Sequence, residues 1–163
     1  MDLLQGEVDA FMEAQKVVPS ASPIAWQNGS PTQVIWQAPV EVEAVQQGTV
    51  FFYVNPTLPR RWIFKLSFHR AEIYRLDVKQ PMRHSNPAGR PADCPGTILC
   101  PEHEHRWRQG LGLNCAWPLE NLSDASHERI LEVFCERARI DFRPDYSDPA
   151  SGLQLEIGKE RDV

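Results

Sequence analysis

Apolar and polar residues alternate over much of residues 34–78, and this period of two is typical of β-strands. The alternating runs are residues 34–38, 40–44, 49–54, 61–68 and 71–78. Turn-forming segments separate them at Gln46-Gln47-Gly48, at residues 55–59 and at His69-Arg70. Pro39 predicts an edge or a bend, because proline has no N–H to donate to a central sheet. Short strands at this spacing predict a mainly antiparallel, meander-like sheet.

Shorter alternating runs follow in the second half of the chain. Residues 103–107 predict a strand, Gly110-Leu111-Gly112 a turn, and residues 114–118 a short strand that pairs back. Residues 153–157 form one more alternating run close to the C-terminus.

Two segments show the spacing of an amphipathic helix instead. The first lies within residues 3–18, where Asp2 followed by Gln5 resembles a capping pair, and the second begins at Ser123 or Asp124. Their apolar stripes are Leu4, Val8, Phe11 and Val18, and then Ile130, Leu131, Phe134 and Ala138. The predicted fold class is therefore α+β, an antiparallel sheet flanked by one N-terminal and one C-terminal helix.

Length and composition fit one soluble globular domain. The chain has 163 residues, of which 42% are hydrophobic and 24% charged. We predict a single domain over residues 1–163, with residues 144–163 as a frayed tail after Pro144. The N-terminus lacks the pattern of a secretory signal, and no apolar run reaches the roughly 18 residues that cross a bilayer. We therefore expect a cytoplasmic protein with no membrane partner.

The formal net charge of −5 argues against general nucleic-acid binding, which depends on clustered cations. The charge is unevenly distributed, because residues 49–111 hold ten basic residues against five acidic ones. One interpretation of this local excess is an anionic ligand, and the other is that Lys and Arg solvate exposed strand faces.

Chemically versatile residues are concentrated between Pro81 and Trp117. This stretch contains three of the five histidines and three of the four cysteines, namely His84, His103, His105, Cys94, Cys100 and Cys115. Prolines exclude a helix from its first half. His103 and His105 are separated by one residue, so on a strand both point to the same face. With His84 on the preceding loop, we expect three imidazoles to converge.

Converging imidazoles are candidates for acid–base catalysis. Unperturbed histidine titrates near pH 6.5, so one ring can accept a proton while another donates one. The neighbouring Arg83, Arg90, Arg106 and Arg108 are candidate phosphate partners. This set of residues suits metal-independent cleavage of RNA, in which the 2′-hydroxyl attacks the adjacent phosphate. The alternative is a hydrogen-bonded structural cluster.

Zinc is a second interpretation of the same stretch. Cys94, Cys100, His103 and His105 supply two sulfur and two nitrogen donors, a set that tetrahedral zinc accepts, although the five residues between the cysteines exceed the usual knuckle spacing. A His-x-His metal site of the cupin type is a third interpretation, but no Glu follows His105 at the expected distance. No cofactor other than zinc is predicted.

The remaining histidines and cysteines predict no chemistry. We expect His69, at a turn, and His127, at the start of the second helix, to be solvated. Cys115 and Cys135 are expected to pack as small apolar side chains.

Several segments resemble a known pattern in their order and spacing. They are RLDVKQPMRHSNPAG from Arg75, HEH from His103, Gln109-Gly110 and AWPL from Ala116. Over residues 60–140 the chain resembles an uncharacterised family of small bacterial and phage proteins that have a PxHxNPxG loop followed by an HxH strand. The layout is similar, more loosely, to TumE-type toxins of toxin–antitoxin systems. The resemblance implies a ribonuclease-like toxin with His84, Asn86, His103 and His105 as its site residues.

Two functions follow as hypotheses. The first is a small toxin-like effector that cleaves or binds RNA through the histidines and arginines. The alternative is a non-enzymatic inhibitor that binds a protein of a phage or host defence complex, with its proline-rich loop held by zinc. The acidic ends of the chain favour the alternative, because they complement a basic partner. RNA, an antitoxin and a defence-complex protein are the predicted partners, and the sequence leaves the oligomeric state open.

Overall fold

A computed structural model of the chain describes residues 3–20, 26–30, 33–55, 61–79, 84–122 and 124–146. Its helices are α1 (Gln5–Glu13) and α2 (His127–Ala138). Its strands are β1 (Lys16–Val18), β2 (Gln27–Ser30), β3 (Gln33–Val42), β4 (Val45–Asn55), β5 (Arg61–Phe68), β6 (Ala71–Val78), β7 (His84–Ser85), β8 (Thr97–Ile98), β9 (His103–Arg106), β10 (Ala116–Pro118) and β11 (Ile140–Phe142). The predicted α+β class, with one helix near each end, is confirmed.

The main sheet has the strand order β10-β9-β6-β5-β4-β3-β1-β11, and β2 pairs with β3 beside β1. Strands β3 to β6 form consecutive antiparallel hairpins, as the alternating pattern predicts. The short strands β1 and β11 pair in parallel, which makes the sheet mixed. Strands β7 and β8 form a separate two-stranded ribbon in the proline-rich loop.

The hairpin turns are only partly as predicted. His69-Arg70 does form the β5–β6 turn, with positive φ at both residues. The predicted turn at Gln46-Gln47-Gly48 is wrong, because these residues belong to β4. The turn lies instead at Glu43-Ala44, where φ is 52° and 61°. Two positive φ values give the backbone twist that a two-residue hairpin needs.

Pro39 does not divide β3, which runs from Gln33 to Val42 without a break. On the outer edge of β3, β2 pairs only as far as Ile35 and β1 pairs at Glu41. Pro39 therefore sits where, among the described strands, that edge has no partner, and its missing N–H is tolerated.

Helix α1 ends at Glu13, well before the predicted residue 18, and the chain continues as β1. The fully buried Lys16 explains this end, because its Nζ donates to the carbonyls of Phe11, Met12 and Ala14 at 2.6, 3.0 and 2.7 Å. The carbonyls of Phe11 and Met12 are among those that the last helical turn leaves unpaired, and Ala14 is the C-cap residue. At the other end the Leu4 N–H donates to Glu7 Oε2 at 3.0 Å, and Asp2 of the predicted capping pair lies outside the described residues.

Helix α2 begins later than predicted. Its N-cap is Ser126, whose Oγ accepts a hydrogen bond from the Arg129 N–H at 3.1 Å, rather than Ser123 or Asp124. The predicted apolar stripe is buried, and Phe134 packs against Phe52, Phe64 and Tyr74 of the sheet. Cys135 is buried beside it, as expected.

His127 is not solvated, so that prediction is wrong. Its ring lies 4.7 Å from Trp62 and 5.1 Å from Phe64, and the side chain is buried. Tyr146 stacks on the same ring, so the beginning of the predicted frayed tail docks on the core. Residues 147–163, including the alternating run at 153–157, lie outside the described residues.

Both helices lie on one face of the sheet. Phe134 of α2 covers Phe52 and Phe64, and Phe11 of α1 stacks on Phe68 with ring centroids 4.3 Å apart. The alternate residues of the same strands form the opposite face, and the histidines of β9 belong to that face. These histidines therefore lie on the side of the sheet away from both helices.

Candidate functional site

Three imidazoles converge on the sheet face opposite the helices. His103 and His105 point to the same side of β9, and His84 reaches them from β7. The ring centroids are separated by 5.2 Å between His84 and His103, and by 5.0 Å in each of the other two pairs. The convergence that the His-x-His spacing predicts is present in the structure. His103 and His105 are almost fully buried, with exposures of 3% and 1%.

Two residues that sequence analysis did not select complete this group. In the β6–β9 pairing, Asp77 lies opposite His103 and Arg75 opposite His105. Asp77 Oδ2 lies 3.3 Å from Nε2 of both histidines. The Arg75 guanidinium contacts the same carboxylate oxygen at 3.0 Å. We call these five residues, His84, His103, His105, Asp77 and Arg75, the histidine centre.

Hydrogen bonds place the protons on His105. Its Nδ1 lies 2.8 Å from the Leu113 carbonyl, which only accepts, so Nδ1 carries a hydrogen. In the neutral ring, Nε2 is then an acceptor, and Arg75 Nη2 donates to it at 2.8 Å. Arg75 thus contributes a positive charge directly beside the imidazoles.

The charges of the centre follow from its burial. Burial alone would raise the pKa of Asp77, but a hydrogen bond from His103 and the charge of Arg75 hold that pKa well below its ordinary value. Burial lowers the pKa of His84, and the neighbouring His105 and His103 lower it further. At neutral pH the centre therefore contains an ionised carboxylate and a neutral His84.

Three buried polar atoms of the centre have no hydrogen-bond partner among the described residues. They are Asp77 Oδ1, His84 Nε2 and His103 Nδ1. A buried polar atom without a partner costs on the order of 1–3 kcal/mol. Three such atoms in one place indicate that the centre binds a further group in addition to its own side chains.

The histidines also meet a geometric requirement for metal binding. Each of the three offers one nitrogen, and these nitrogens lie within 4.8 Å of one another. In the part of the chain that the structure describes, no other group of three or more His, Cys, Asp or Glu residues does so.

The predicted zinc ligands Cys94 and Cys100 do not join His103 and His105. Cys94 is buried against Cys115, and burial together with this neighbour raises the pKa of Cys94 to about 12. The Cys100 thiol donates to the Leu119 carbonyl at 3.0 Å. The mixed cysteine–histidine set is therefore corrected for the described residues: the group that can hold a metal is His84, His103 and His105, and neither sulfur belongs to it.

Three of the four arginines predicted to bind phosphate lie among the described residues, and each is paired with another group. Arg90 donates to the Cys94 carbonyl at 3.0 Å, within its own loop. Arg106 is one residue out of phase with His105, so it projects to the opposite face, where it pairs with Glu104. Arg108 pairs with Asp93, and Arg83 lies outside the described residues. Among the described arginines, Arg75 is the one that contacts the imidazoles.

Asn86, expected to contact a substrate, instead holds the loop in place. Its Nδ2 donates to the carbonyls of Pro95 and Ala116, both at 2.8 Å, and its Oδ1 accepts from the Ala116 N–H at 2.7 Å. The amide thus pairs with β10 as a neighbouring strand would. His84, two residues earlier, is positioned over the sheet by this attachment.

The opposite face of β9 is anchored by the buried Glu104. The Tyr74 hydroxyl donates to its Oε2 at 2.7 Å, and Arg106 and Arg137 pair with its Oε1. Because side chains alternate along a strand, fixing Glu104 on one face fixes His103 and His105 on the other.

Comparisons of this chain with models of protein families, with curated proteins and with solved structures find no match. The resemblance to the family with the PxHxNPxG loop, and the looser one to TumE-type toxins, therefore stay predictions. Within the described residues, neither helix has the length and apolar character needed to cross a membrane.

Proposed function

We propose that the histidine centre binds one divalent transition-metal ion, zinc by its donor set, and that this metal fastens the proline-rich loop to the sheet of a non-enzymatic binding protein. The observation that carries the proposal is the convergence of three imidazoles, two of them almost fully buried, with polar atoms on His84, His103 and Asp77 that have no partner among the described residues.

The donor set suits zinc. Zinc accepts histidine nitrogen and carboxylate oxygen, and it requires neutral imidazoles and an ionised carboxylate. His84 and Asp77 have these charge states at neutral pH. Tetrahedral bonds of about 2.0–2.1 Å place ligand atoms about 3.4 Å apart, so donors now within 4.8 Å need to approach one another by up to about 1.4 Å.

The surroundings of His105 resemble those of a metal ligand. Metal-binding histidines donate their second ring N–H to a carbonyl or carboxylate, which fixes the tautomer and the ring orientation. His105 does so through Nδ1 to the Leu113 carbonyl at 2.8 Å. This leaves Nε2 directed into the centre.

A metal bound here would connect two separate parts of the chain. His84 belongs to the β7–β8 ribbon, whereas His103 and His105 belong to the main sheet. The near-complete burial of both sheet histidines favours a closed site, which is typical of structural rather than catalytic zinc. This supports the binding-protein hypothesis, with histidines in place of the cysteines as ligands.

Metal analysis of the purified full-length chain tests the proposal. We expect about one equivalent of zinc per chain, lost in His103→Ala and His105→Ala but retained in Cys94→Ser and Cys100→Ser. Chelation should lower the melting temperature of the wild type and leave that of His103→Ala unchanged. A metal-free wild type that cannot be loaded with zinc contradicts the proposal.

Arg75 favours a second candidate function, metal-independent cleavage of RNA by a toxin-like effector. Its guanidinium lies 2.8 Å from His105 Nε2. A cation that can bind a phosphate therefore lies beside imidazoles that can transfer protons. Expression of the chain should then arrest growth, and arrest should be lost in His103→Ala and retained in Cys94→Ser. RNA cleavage that persists in chelator supports this function over the first, and an absence of arrest and of cleavage contradicts it.

A further inference from the structure

The sheet face that carries the histidine centre continues over β4 and β5 as a surface that neither described helix covers. Its side chains alternate with the buried set beneath α2, and they are half-buried. We call Phe51, Tyr53, Ile63 and Lys65, with Arg75 of β6, the open face. A shallow depression of about 440 Å³ at one end of it is lined by Phe51 and Tyr53 among others.

Two aromatic rings lie side by side on the open face. Phe51 and Tyr53 are two residues apart on β4, with ring centroids 6.3 Å apart and planes inclined by 21°. Two rings on an uncovered β-strand form a flat surface on which the bases of a single-stranded nucleic acid can stack, whatever their sequence.

Cations extend from these rings to the histidine centre. Lys65 Nζ lies 5.0 Å from the centroid of the Tyr53 ring. Arg75 is the cross-strand partner of Lys65, and its guanidinium reaches His105. Each of these cations also pairs with a carboxylate of β6, Lys65 with Glu72 and Arg75 with Asp77. Aromatic rings followed by basic groups complement a polymer that carries both bases and phosphates.

We propose that the open face binds single-stranded RNA, with bases stacked on Phe51 and Tyr53 and phosphates following Lys65 and Arg75 towards the histidine centre. Charged groups among the aromatic rings favour RNA over a protein partner, because charged residues are depleted from the cores of protein interfaces. The preference for RNA over DNA rests on the second candidate function, in which the imidazoles to which the surface leads act on a 2′-hydroxyl. The inference does not depend on bound metal.

Fluorescence anisotropy of a labelled oligouridine at low ionic strength tests the inference with the full chain. The double variant Phe51→Leu/Tyr53→Leu keeps the face apolar and removes both rings, and we expect it to bind at least tenfold more weakly. Lys65→Gln should weaken binding several-fold and reduce its dependence on salt. Leu99→Ser, at an exposed position on the proline-rich loop, is the matched control and should bind as the wild type does.

Circular dichroism and thermal melting identify variants that fail to fold, and for these the single Tyr53→Leu and Phe51→Leu variants take the place of the double variant. Binding measured with and without chelator separates this inference from the proposed metal site. Undetectable binding of oligouridine by the wild type overturns it and leaves the open face to a protein partner. Equal binding by the folded double variant, or tighter binding of the oligodeoxythymidine of equal length, also overturns it.

Discussion

Arg75 on β6 lies directly opposite His105 on β9, and its guanidinium donates to Nε2 of that ring across 2.8 Å. The same guanidinium pairs with Asp77. Nε2 of His105 has one lone pair in the plane of the ring, so it cannot accept from Arg75 and coordinate a metal at the same time. Arg75 is therefore both a cation in direct contact with the imidazoles and the direct competitor of any metal at His105.

This competition predicts that Arg75→Gln binds zinc more tightly than the wild type. A hydrogen bond from a charged donor contributes about 1.5 kcal/mol, which corresponds to roughly a tenfold gain in affinity. Titration against a chromophoric chelator measures the affinity. Arg90→Gln is the matched control, because Arg90 bonds within its own loop and should leave the affinity unchanged. Equal or weaker binding by Arg75→Gln would show that Arg75 does not compete.

Asp77 makes a second prediction, on stability. Its carboxylate is 4% exposed and contacts Arg75, His103 and His105, so Asp77→Asn removes the anion around which the centre is assembled. Loss of one partner from a buried ion pair costs about 3–5 kcal/mol in the free energy of unfolding. Urea denaturation in the presence of chelator measures this loss.

The control for Asp77 is Asp93→Asn. Asp93 pairs with Arg108 at the surface, with 58% of its side chain exposed. Removing such a pair changes the free energy of unfolding by less than about 1 kcal/mol. If the two variants lose similar amounts of free energy of unfolding, the buried centre does not stabilise the fold.

Tyr74 makes the fold less stable at high pH. Burial raises the pKa of Tyr74 well above its ordinary value, and the charge of Glu104, which accepts its hydroxyl at 2.7 Å, raises it further. Above pH of about 10 the unfolded chain releases a proton that the folded chain keeps, so the free energy of unfolding falls as the pH rises. Tyr74→Phe should remove this part of the dependence and cost about 1–3 kcal/mol at neutral pH, because Glu104 loses a donor. Urea midpoints measured from neutral pH upward check both effects, and parallel profiles for the two proteins would contradict them.

The meander and the convergence of the histidines can be predicted from the sequence, because both depend on local patterns. Alternation over 61–68 and 71–78 predicts two strands at their observed bounds. His-x-His on a strand fixes two rings on one face whatever the rest of the fold. The same rule places Arg106 on the other face, so its exclusion from the centre was available from the spacing alone.

Long-range pairing accounts for what the sequence does not reveal. Asp77 and Arg75 belong to the centre only because β9 pairs with β6, across a loop of more than twenty residues, in the register that sets Asp77 against His103. Nothing in the Arg75–Asp77 segment itself indicates that register. The sequence does not predict the turn at Glu43-Ala44, because neither residue is a preferred former of such turns.

Asn86 makes the last prediction, on the attachment of the loop. Its amide makes three hydrogen bonds, two with the backbone of Ala116 and one with Pro95, and it thereby carries His84 over the sheet. Asn86→Ala leaves those backbone groups without partners at a buried position, so we expect a loss of about 2–4 kcal/mol in stability and weaker zinc binding through His84. Asn86→Asp is the matched comparison, because it retains the acceptor for the Ala116 N–H but sets a carboxylate oxygen against the Pro95 and Ala116 carbonyls, and its loss of stability should be at least as large as that of Asn86→Ala. Hydrogen exchange at the Ala116 amide reports the attachment directly: it should accelerate in Asn86→Ala, and unchanged protection there would show that other contacts hold the loop.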